Sequence, residues 1–169
     1  MKKFKLTSEF IVDISGVKLF RIKALIEFGN VKAGDLGGYI EKEKNLSHMG
    51  NAWVSGNAQV SGNAWVFGDA QVFGNAQVFG NARVFGNARV SGDARVSGDK
   101  DYAYAHGFGS CNRTTTFFRL KDGDVGVRCG CFYGTLAQFR DNVCETHGET
   151  KKAQEYLMLA DLMDFRFKN

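Results

Sequence analysis

The residues best suited to metal chemistry lie near the end of the chain, in the patterns Cys129-x-Cys131 and Cys144-x-x-His147. Thiolates and an imidazole are donors that zinc accepts in tetrahedral geometry. Paired cysteines in zinc sites usually enclose about two to four residues, whereas this pair encloses one. We therefore expect ordinary thiols and no cofactor, and we keep the zinc set as the alternative.

A second group of residues has the chemistry of an anion site. It combines cations, a hydroxyl and an aromatic ring within a short stretch: Arg113, Thr115, Arg119, Arg128 and Tyr133. Guanidinium groups bind phosphate through paired hydrogen bonds, hydroxyls add donors, and a tyrosine ring can stack on a base. The pattern predicts a small anionic, nucleotide-like ligand, although solvated strand residues would have the same composition.

These residues follow a repeat in which a Gly-Asn or Gly-Asp pair begins every sixth residue from Gly50 to Gly98. The unit reads Gly-Asn/Asp-Ala-x-Val-Ser/Phe, so Ala and Val lie two apart and face one side of a strand. The Gly-Asn or Gly-Asp pair tolerates the positive φ that the chain needs to turn a corner. A fixed period of this kind predicts a solenoid. An antiparallel meander is the alternative, and it would leave the Ala/Val face uncovered.

The segment Val54-Ser55-Gly56-Asn57-Ala58-Gln59 and its copies resemble the hexapeptide repeat of left-handed parallel β-helix proteins. The resemblance implies three hexapeptides per coil and a left-handed crossover. Counting from Leu36 to Asp101 then gives about four coils, with Ile40 and Leu46 also in inward slots. It further implies trimers packed side by side, and acyl transfer as the activity most often found in the family.

Acyl transfer would need a histidine general base beside a cleft. The repeat phase places His48 and His106 in inward slots, and no loop interrupts the coils to cover a substrate. We therefore favour a non-catalytic binding protein. A hexapeptide-type acyltransferase and a structural assembly module are the alternatives.

The entry into the repeat, Gly34-Asp35-Leu36-Gly37-Gly38-Tyr39-Ile40-Glu41 with Asn45-Leu46-Ser47, also resembles uncharacterised hexapeptide proteins of phages, prophages and gut bacteria. This resemblance supplies a genomic setting and no activity. It is consistent with sequestration of a nucleotide-like host signal, or with blocking of a host defence protein.

Residues eighteen apart should stack on one outer face of the coils. One such column is apolar and aromatic beside a cation: Met49, Trp65, Phe67, Arg83 and Phe85. A contiguous exposed apolar patch usually marks an interface. We expect a homo-oligomer through this face, with a trimer favoured. Burial under the C-terminal segment, or binding of a partner, are the alternatives.

The chain divides into an N-terminal β cap (1–35), the hexapeptide β-helix (36–101) and an α+β C-terminal domain (102–169). The N-terminal cap is predicted to be a hairpin that turns at Ser15-Gly16. The C-terminal domain should contain two strands joined by an Asp-Gly turn, then one helix that ends at His147 and a second that ends near Asp164. The fold class is therefore mainly β.

The net charge of +4 is not concentrated in any segment. Double-stranded DNA binding usually needs a clustered basic stripe, so we do not expect that partner. No apolar stretch approaches the roughly 20 residues of a membrane span, and the start lacks the apolar core of a signal peptide. We expect a cytoplasmic protein, in the host cytoplasm if it is phage-encoded.

Overall fold

The structure is a computed structural model that describes residues 1–168, and it begins with an antiparallel hairpin. Strand β1 (Phe4–Val12) turns back into β2 (Lys18–Ala24). Strand β3 (Leu36–Ile40) lies antiparallel to β2 and parallel to the repeat strand at Gln59–Val60. The predicted hairpin is confirmed, and β3 connects it to the repeat.

The repeat forms a β-solenoid of about three turns. Each strand is an x-Val pair: β4 (Trp53–Val54), β5 (Gln59–Val60), β6 (Trp65–Val66), β7 (Gln71–Val72), β8 (Gln77–Val78), β9 (Arg83–Val84), β10 (Arg89–Val90) and β11 (Arg95–Val96). Parallel pairing joins β4 to β7 and β7 to β10, so three hexapeptides make one turn. The Ala and Val side chains are buried inside. The predicted mainly β solenoid is confirmed, with about three turns in place of the predicted four coils, while the left-handed crossover stays a prediction.

The corners of the solenoid require glycine. Gly74, for example, has a φ of +68°, and a Cβ at this position would lie 2.9 Å from the nitrogen of Gly92 in the next turn. An L side chain there would be strained by the backbone conformation and by the stacked coil. Spacing of the glycines therefore sets where the prism turns.

The register of the repeat changes by two residues before β4. Ile40 pairs with Val60 and Leu46 bridges to Val66, both twenty residues apart, whereas later partners are eighteen apart. Leu36 is 51% exposed and fills no inward slot. The prediction of one uninterrupted phase back to Leu36 is therefore wrong, because two extra residues lie between Leu46 and β4.

The C-terminal segment is an antiparallel meander followed by two helices. Its elements are β12 (Tyr102–Phe108), β13 (Arg113–Arg119), β14 (Val125–Cys129), β15 (Phe132–Thr135), α1 (Leu136–His147) and α2 (Lys151–Phe167). Thr135 and Gln138 form the predicted capping box of α1, and α2 continues three residues beyond Asp164. The sequence did not predict β12 or β15.

The meander has two covered faces. Tyr102 and Phe118 belong to the core of the solenoid, so one face lies on the last turn. Phe117 and Val127 pack with helix residues such as Phe139, so the other face supports α1 and α2. Neighbouring residues of β13 therefore serve different cores, as strand alternation requires.

The first turn of the solenoid is closed by hydrogen-bond donors. N–H groups such as that of Trp53, which donates to Ala70, bond to carbonyls of the next coil, so the matching carbonyls of the first turn need donors from elsewhere. The Lys3 ammonium donates to the carbonyls of Gly50 and Ala52, at 3.2 and 2.8 Å. On the next face Asn45 Nδ2 serves the same purpose, and the backbone of β3 closes the third.

The last turn needs acceptors instead, and the residues that directly follow it supply two of them. Asp99 Oδ1 accepts the N–H of Arg83 at 2.8 Å, and Asp101 Oδ2 accepts that of Ser97 at 2.9 Å. Burial alone would raise the pKa of Asp101, but hydrogen bonds from Ser97 and Arg119 outweigh it and hold the pKa below its usual value. This carboxylate therefore stays charged where the coil needs an acceptor.

Candidate functional site

A cavity of about 420 Å³ lies between the meander and the two helices. We call it the cap pocket, and the residues that matter to its chemistry are Arg113, Cys129, Phe132, Phe139, His147 and Tyr156. Its size is within the range of small-molecule sites, which are mostly apolar with a few placed polar groups. The cap pocket is therefore the candidate ligand site.

Tyr156 of α2 forms the inner wall of the cap pocket. Its hydroxyl accepts the N–H of Ser110 at 3.0 Å and lies 3.8 Å from Cys129 Sγ. Burial raises the pKa of Tyr156, so the side chain stays a neutral phenol. The Phe139 ring meets the tyrosine ring edge-on at 5.6 Å. These contacts give the pocket a rigid aromatic wall.

The connection between β12 and β13 forms the rim of the pocket, and α2 holds it. Glu155 Oε2 accepts the N–H of Gly109 at 2.7 Å. The Tyr156 ring lies so close to Gly109 that a Cβ there would be 2.0 Å from its Cζ. Cys111 and Asn112 then adopt φ values of +57° and +46°, a conformation that costs energy in residues other than glycine. This constrained turn directly precedes β13 and fixes where that strand begins.

Arg113, the first residue of β13, brings a positive charge to the rim. Its side chain crosses Gly130, where a Cβ would lie 2.4 Å from Nη1. Within residues 1–168, Arg113 takes part in no ion pair. The cap pocket therefore joins aromatic walls to an available guanidinium.

The other predicted anion-binding residues do not converge on Arg113. Thr115 is buried beneath the pocket and donates to Cys129 Sγ at 3.2 Å. Arg119 lies at the far end of β13, where it contacts Asp101 at 3.4 Å and the carbonyl of Phe167 at 3.2 Å. Arg119 therefore ties α2 to the end of the solenoid.

Arg128 and Tyr133 lie on the opposite face of the meander, toward the solenoid. The pairing of β14 with β15 places them directly across from each other. Their surroundings include Phe73 of the solenoid, whose ring centroid is 5.1 Å from Arg128 Cζ. The five predicted residues thus divide among three places instead of forming one site.

The cysteines do not assemble into the zinc set that was kept as the alternative. Cys129 is buried, whereas Cys131 and Cys144 are exposed, and all three are free thiols. Throughout residues 1–168, no three His, Cys, Asp or Glu side chains lie close enough together to hold a metal ion. His147 lines the cap pocket, with its ring 5.7 Å from that of Tyr156.

His48 and His106 do not occupy inward slots, and both of those predictions are wrong. His48 lies in the two-residue register change, where its Nε2 is 2.7 Å from Glu43 Oε1 and its ring stacks on Phe4 at 4.3 Å. His106 is exposed on β12, because the solenoid has already ended, and its Nδ1 contacts Thr114 Oγ1 at 2.8 Å. Neither lines the cap pocket.

The predicted apolar column is present as a stack of rings, which we call the aromatic ladder: Trp65, Phe67, Phe85 and Tyr104. The first two rings lie 4.0 Å apart, the next pair 5.1 Å, and Tyr104 meets Phe85 edge-on at 6.1 Å. Trp65 and Phe85 are 42% and 38% exposed. Phe67 and Tyr104 are half-buried, so the ladder is a partly exposed apolar surface.

The prediction that Met49 joins this column is wrong, whereas Arg83 pairs in register with Trp65, beside the aromatic ladder as predicted. Because of the register change, Ser47 occupies the position that stacks on Phe67 from the preceding coil. The N–H of Ser47 donates to the carbonyl of Val66, as the N–H of Phe67 does to Val84 one coil later. Met49 lies in the extra residues and is exposed. Arg83 forms two hydrogen bonds to Asp99 Oδ2, at 3.2 and 2.9 Å.

Two features of these surfaces were not predicted. Tyr104 extends the aromatic ladder, and it was missed because β12 was not recognised as a strand. Helix α2 carries an exposed apolar stripe of Met158, Leu162 and Phe165. Their spacing of four and then three residues places them on one helix face, so the sequence did contain that signal.

The family model of the YdcK beta solenoid repeat matches residues 58–74, 76–90 and 88–99. All three matches lie in the solenoid, and together with the parallel strands they identify a β-solenoid repeat protein. The cap pocket lies outside the matched residues. The comparison with curated proteins finds no match. No helix in residues 1–168 is long and apolar enough to cross a membrane.

Proposed function

We propose that this protein is a non-catalytic binding protein that holds a small anionic ligand in the cap pocket. The observation that carries the proposal is the position of Arg113, a guanidinium without an ion-pair partner, at the rim of a ligand-sized aromatic cavity. A guanidinium offers paired donors to a phosphate or carboxylate. The constrained turn before it restricts where that charge can lie.

The walls of the pocket favour a ligand with a planar ring. Phe132 and Phe139 lie 5.5 Å apart and tilted by 55°, and Tyr156 meets Phe139 at 81°. Aromatic surfaces set at angles to one another can take a flat ring by stacking on one and by edge contact with another. A nucleotide-like ligand combines such a ring with the anion that Arg113 would bind.

The polar groups around the pocket support binding without turnover. The Tyr156 hydroxyl is already hydrogen-bonded and its raised pKa keeps it protonated, while Thr115 donates to Cys129. These groups maintain the shape of the cavity. A protein that binds such a ligand and returns it unchanged acts by lowering its free concentration, which is sequestration.

The test is a thermal-shift and calorimetric screen of the full chain with cyclic dinucleotides, ADP-ribose and acetyl-CoA. We expect a nucleotide to raise the melting temperature, and Arg113→Ala to weaken its binding by roughly tenfold or more. Arg95→Ala is the matched control, because Arg95 lies on the solenoid beside Phe79. Equal binding by Arg113→Ala, or turnover of acetyl-CoA, would refute the proposal.

The aromatic ladder favours a second role, assembly of several copies of this chain. Its rings are stacked along one face of the prism, and Trp65 and Phe85 stay exposed in the single chain. Most soluble oligomers are symmetric assemblies of one chain. We propose side-by-side association through the ladder, with a trimer as the expected state.

A further inference from the structure

Two arginines meet at the junction between the solenoid and the meander. Arg89 of β10 and Arg128 of β14 both lie against the Phe73 ring, with Cζ at 5.3 and 5.1 Å from its centroid. Thr116 of β13 accepts the N–H of Arg89 at 3.0 Å, which fixes the meander on this turn. Two guanidinium groups from separate elements therefore share one aromatic ring.

Neither arginine has an anionic partner within the described residues. None of the ion pairs in 1–168 includes Arg89 or Arg128. The Nε of Arg128 is buried and has no hydrogen-bond acceptor. Burial, and then the charge of Arg128, lower the pKa of Arg89. The two guanidinium groups repel each other, and the buried Nε of Arg128 lacks an acceptor. An anion between them would reduce the repulsion and accept that hydrogen bond.

We infer that Arg89 and Arg128 form a binding site for a phosphate group at the junction of the solenoid and the meander. A carboxylate has two oxygens and is matched by one guanidinium fork, whereas a phosphate offers further oxygens to a second fork. Donors that approach from two elements therefore suit the tetrahedral anion. The site lies on the other face of the meander from Arg113 and does not rest on the proposed function of the cap pocket.

Tyr133 gives this site a place for the rest of a phosphate ester. Its ring lies beside Arg128, with the guanidinium carbon 6.0 Å from the ring centroid, and stacks on Phe118 at 6.5 Å. The ring is 42% exposed, so a base can stack on it. Free phosphate and a nucleoside monophosphate share the anion chemistry and differ in this second contact.

The test measures the melting temperature and phosphate affinity of the full chain at low ionic strength, with chloride at matched ionic strength as the reference. We expect millimolar phosphate to stabilise the wild-type protein and Arg95→Gln. We expect Arg89→Gln and Arg128→Gln to bind phosphate about tenfold more weakly or worse. Arg95 is the matched control, since it lies 5.3 Å from the Phe79 centroid in the same repeat slot and without a second guanidinium on that ring.

No stabilisation of the wild-type protein by phosphate would overturn the inference. An equal loss in Arg95→Gln would also overturn it, because the effect would then be one of general surface charge. If Arg128→Gln does not fold, Arg89→Gln decides by itself. A nucleoside monophosphate that binds more tightly than phosphate, with the gain lost in Tyr133→Ala, would identify an ester as the ligand, and equal affinity would identify free phosphate. Binding here that survives Arg113→Ala separates this site from the cap pocket.

Discussion

Asn45 should be among the most costly polar residues of this protein to replace, although it lies at the end of the solenoid. It is completely buried. Its Nδ2 donates to the carbonyls of Gly62 and Ala64 at 3.2 and 2.8 Å, and its Oδ1 accepts the N–H of Lys42 at 2.9 Å. Carbonyls of each coil accept hydrogen bonds from the preceding coil, and no coil precedes these two carbonyls. We therefore predict that Asn45→Ala destabilises the whole chain.

The magnitude follows from the groups that the substitution leaves unpaired. Two carbonyls and one N–H lose their partners, and each buried unpaired group costs about 1–3 kcal/mol. Asn45 also borders an open cavity of about 540 Å³, from which water can reach some of these groups. We therefore expect the low end of the range, a loss of about 3 kcal/mol in the free energy of unfolding.

Asn63→Ala is the matched control. Asn63 lines the same cavity, is exposed, and makes one amide hydrogen bond, to Asn81 at 3.3 Å. Its replacement should change the unfolding free energy by no more than about 0.5 kcal/mol. Urea unfolding followed by circular dichroism measures both variants. Similar values for the two would refute the reasoning that unpaired carbonyls of the first turn must be closed by side-chain donors.

Asn45→Asp gives a second readout with a definite sign. Its carboxylate would face two carbonyl oxygens in a buried place, so its pKa in the folded state should be raised above the unfolded value of about 3.9. The neutral acid has one O–H for two carbonyls, so part of the destabilisation is present at low pH, and a further part develops as the pH rises above about 4. A variant whose deficit relative to the wild type does not grow between pH 4 and pH 7 would contradict this account.

Three further predictions concern the ends, the outer face and the corners. Burial lowers the pKa of Lys3 from 10.5 to about 8, so between these pH values the unfolded chain binds the proton more strongly than the folded one. The unfolding free energy of the wild type should therefore rise by about 3 kcal/mol between pH 8 and 10.5 relative to that of Lys3→Met. Parallel pH profiles of the two proteins would contradict this. Trp65→Ser should reduce the mass in light scattering to that of one chain, while the exposed Met158→Ser should not; dissociation by both or neither would count against the aromatic ladder. Gly74→Ala should lose about 2 kcal/mol or more in urea unfolding, whereas Gly98→Ala, in extended backbone with open space around it, should change by less than about 1; equal losses would contradict the role given to the corner.

The solenoid could be predicted from sequence because every level of the pattern agrees. Small Ala and Val fill the interior, glycine occurs where φ must be positive, and a closed coil covers the Ala/Val face that an antiparallel meander would leave open. Its register upstream could not be predicted. Ile40 and Leu46 are apolar and fit the inward slots in either of two phases, so only their partners, Val60 and Val66, decide between them.

The C-terminal segment shows a different limit. The sequence of β12 alternates Tyr with Ala, and both residue types are apolar, so the two-residue period gives little contrast. Closeness in the chain, on which the predicted anion site depends, does not account for the alternation of side chains along a strand. The Asp-Gly turn pairs Arg119 with Val125, and this register places Arg128 beside Thr116 and away from Arg113. Attention to strand parity would have separated the two sites.

Both candidate sites follow from the way the solenoid ends. The last turn presents N–H groups, so the segment that closes it must bring acceptors, and Thr116 of β13 is one of them. A sheet that supplies acceptors from one face leaves its other face to be covered, and α1 and α2 cover it incompletely, with the cap pocket between. Residue alternation along β13 and β14 then assigns Arg113 to the pocket and Arg128 to the junction. A ligand at either place contacts a strand of the meander that closes the solenoid, and for that reason its binding should raise the stability of the whole chain.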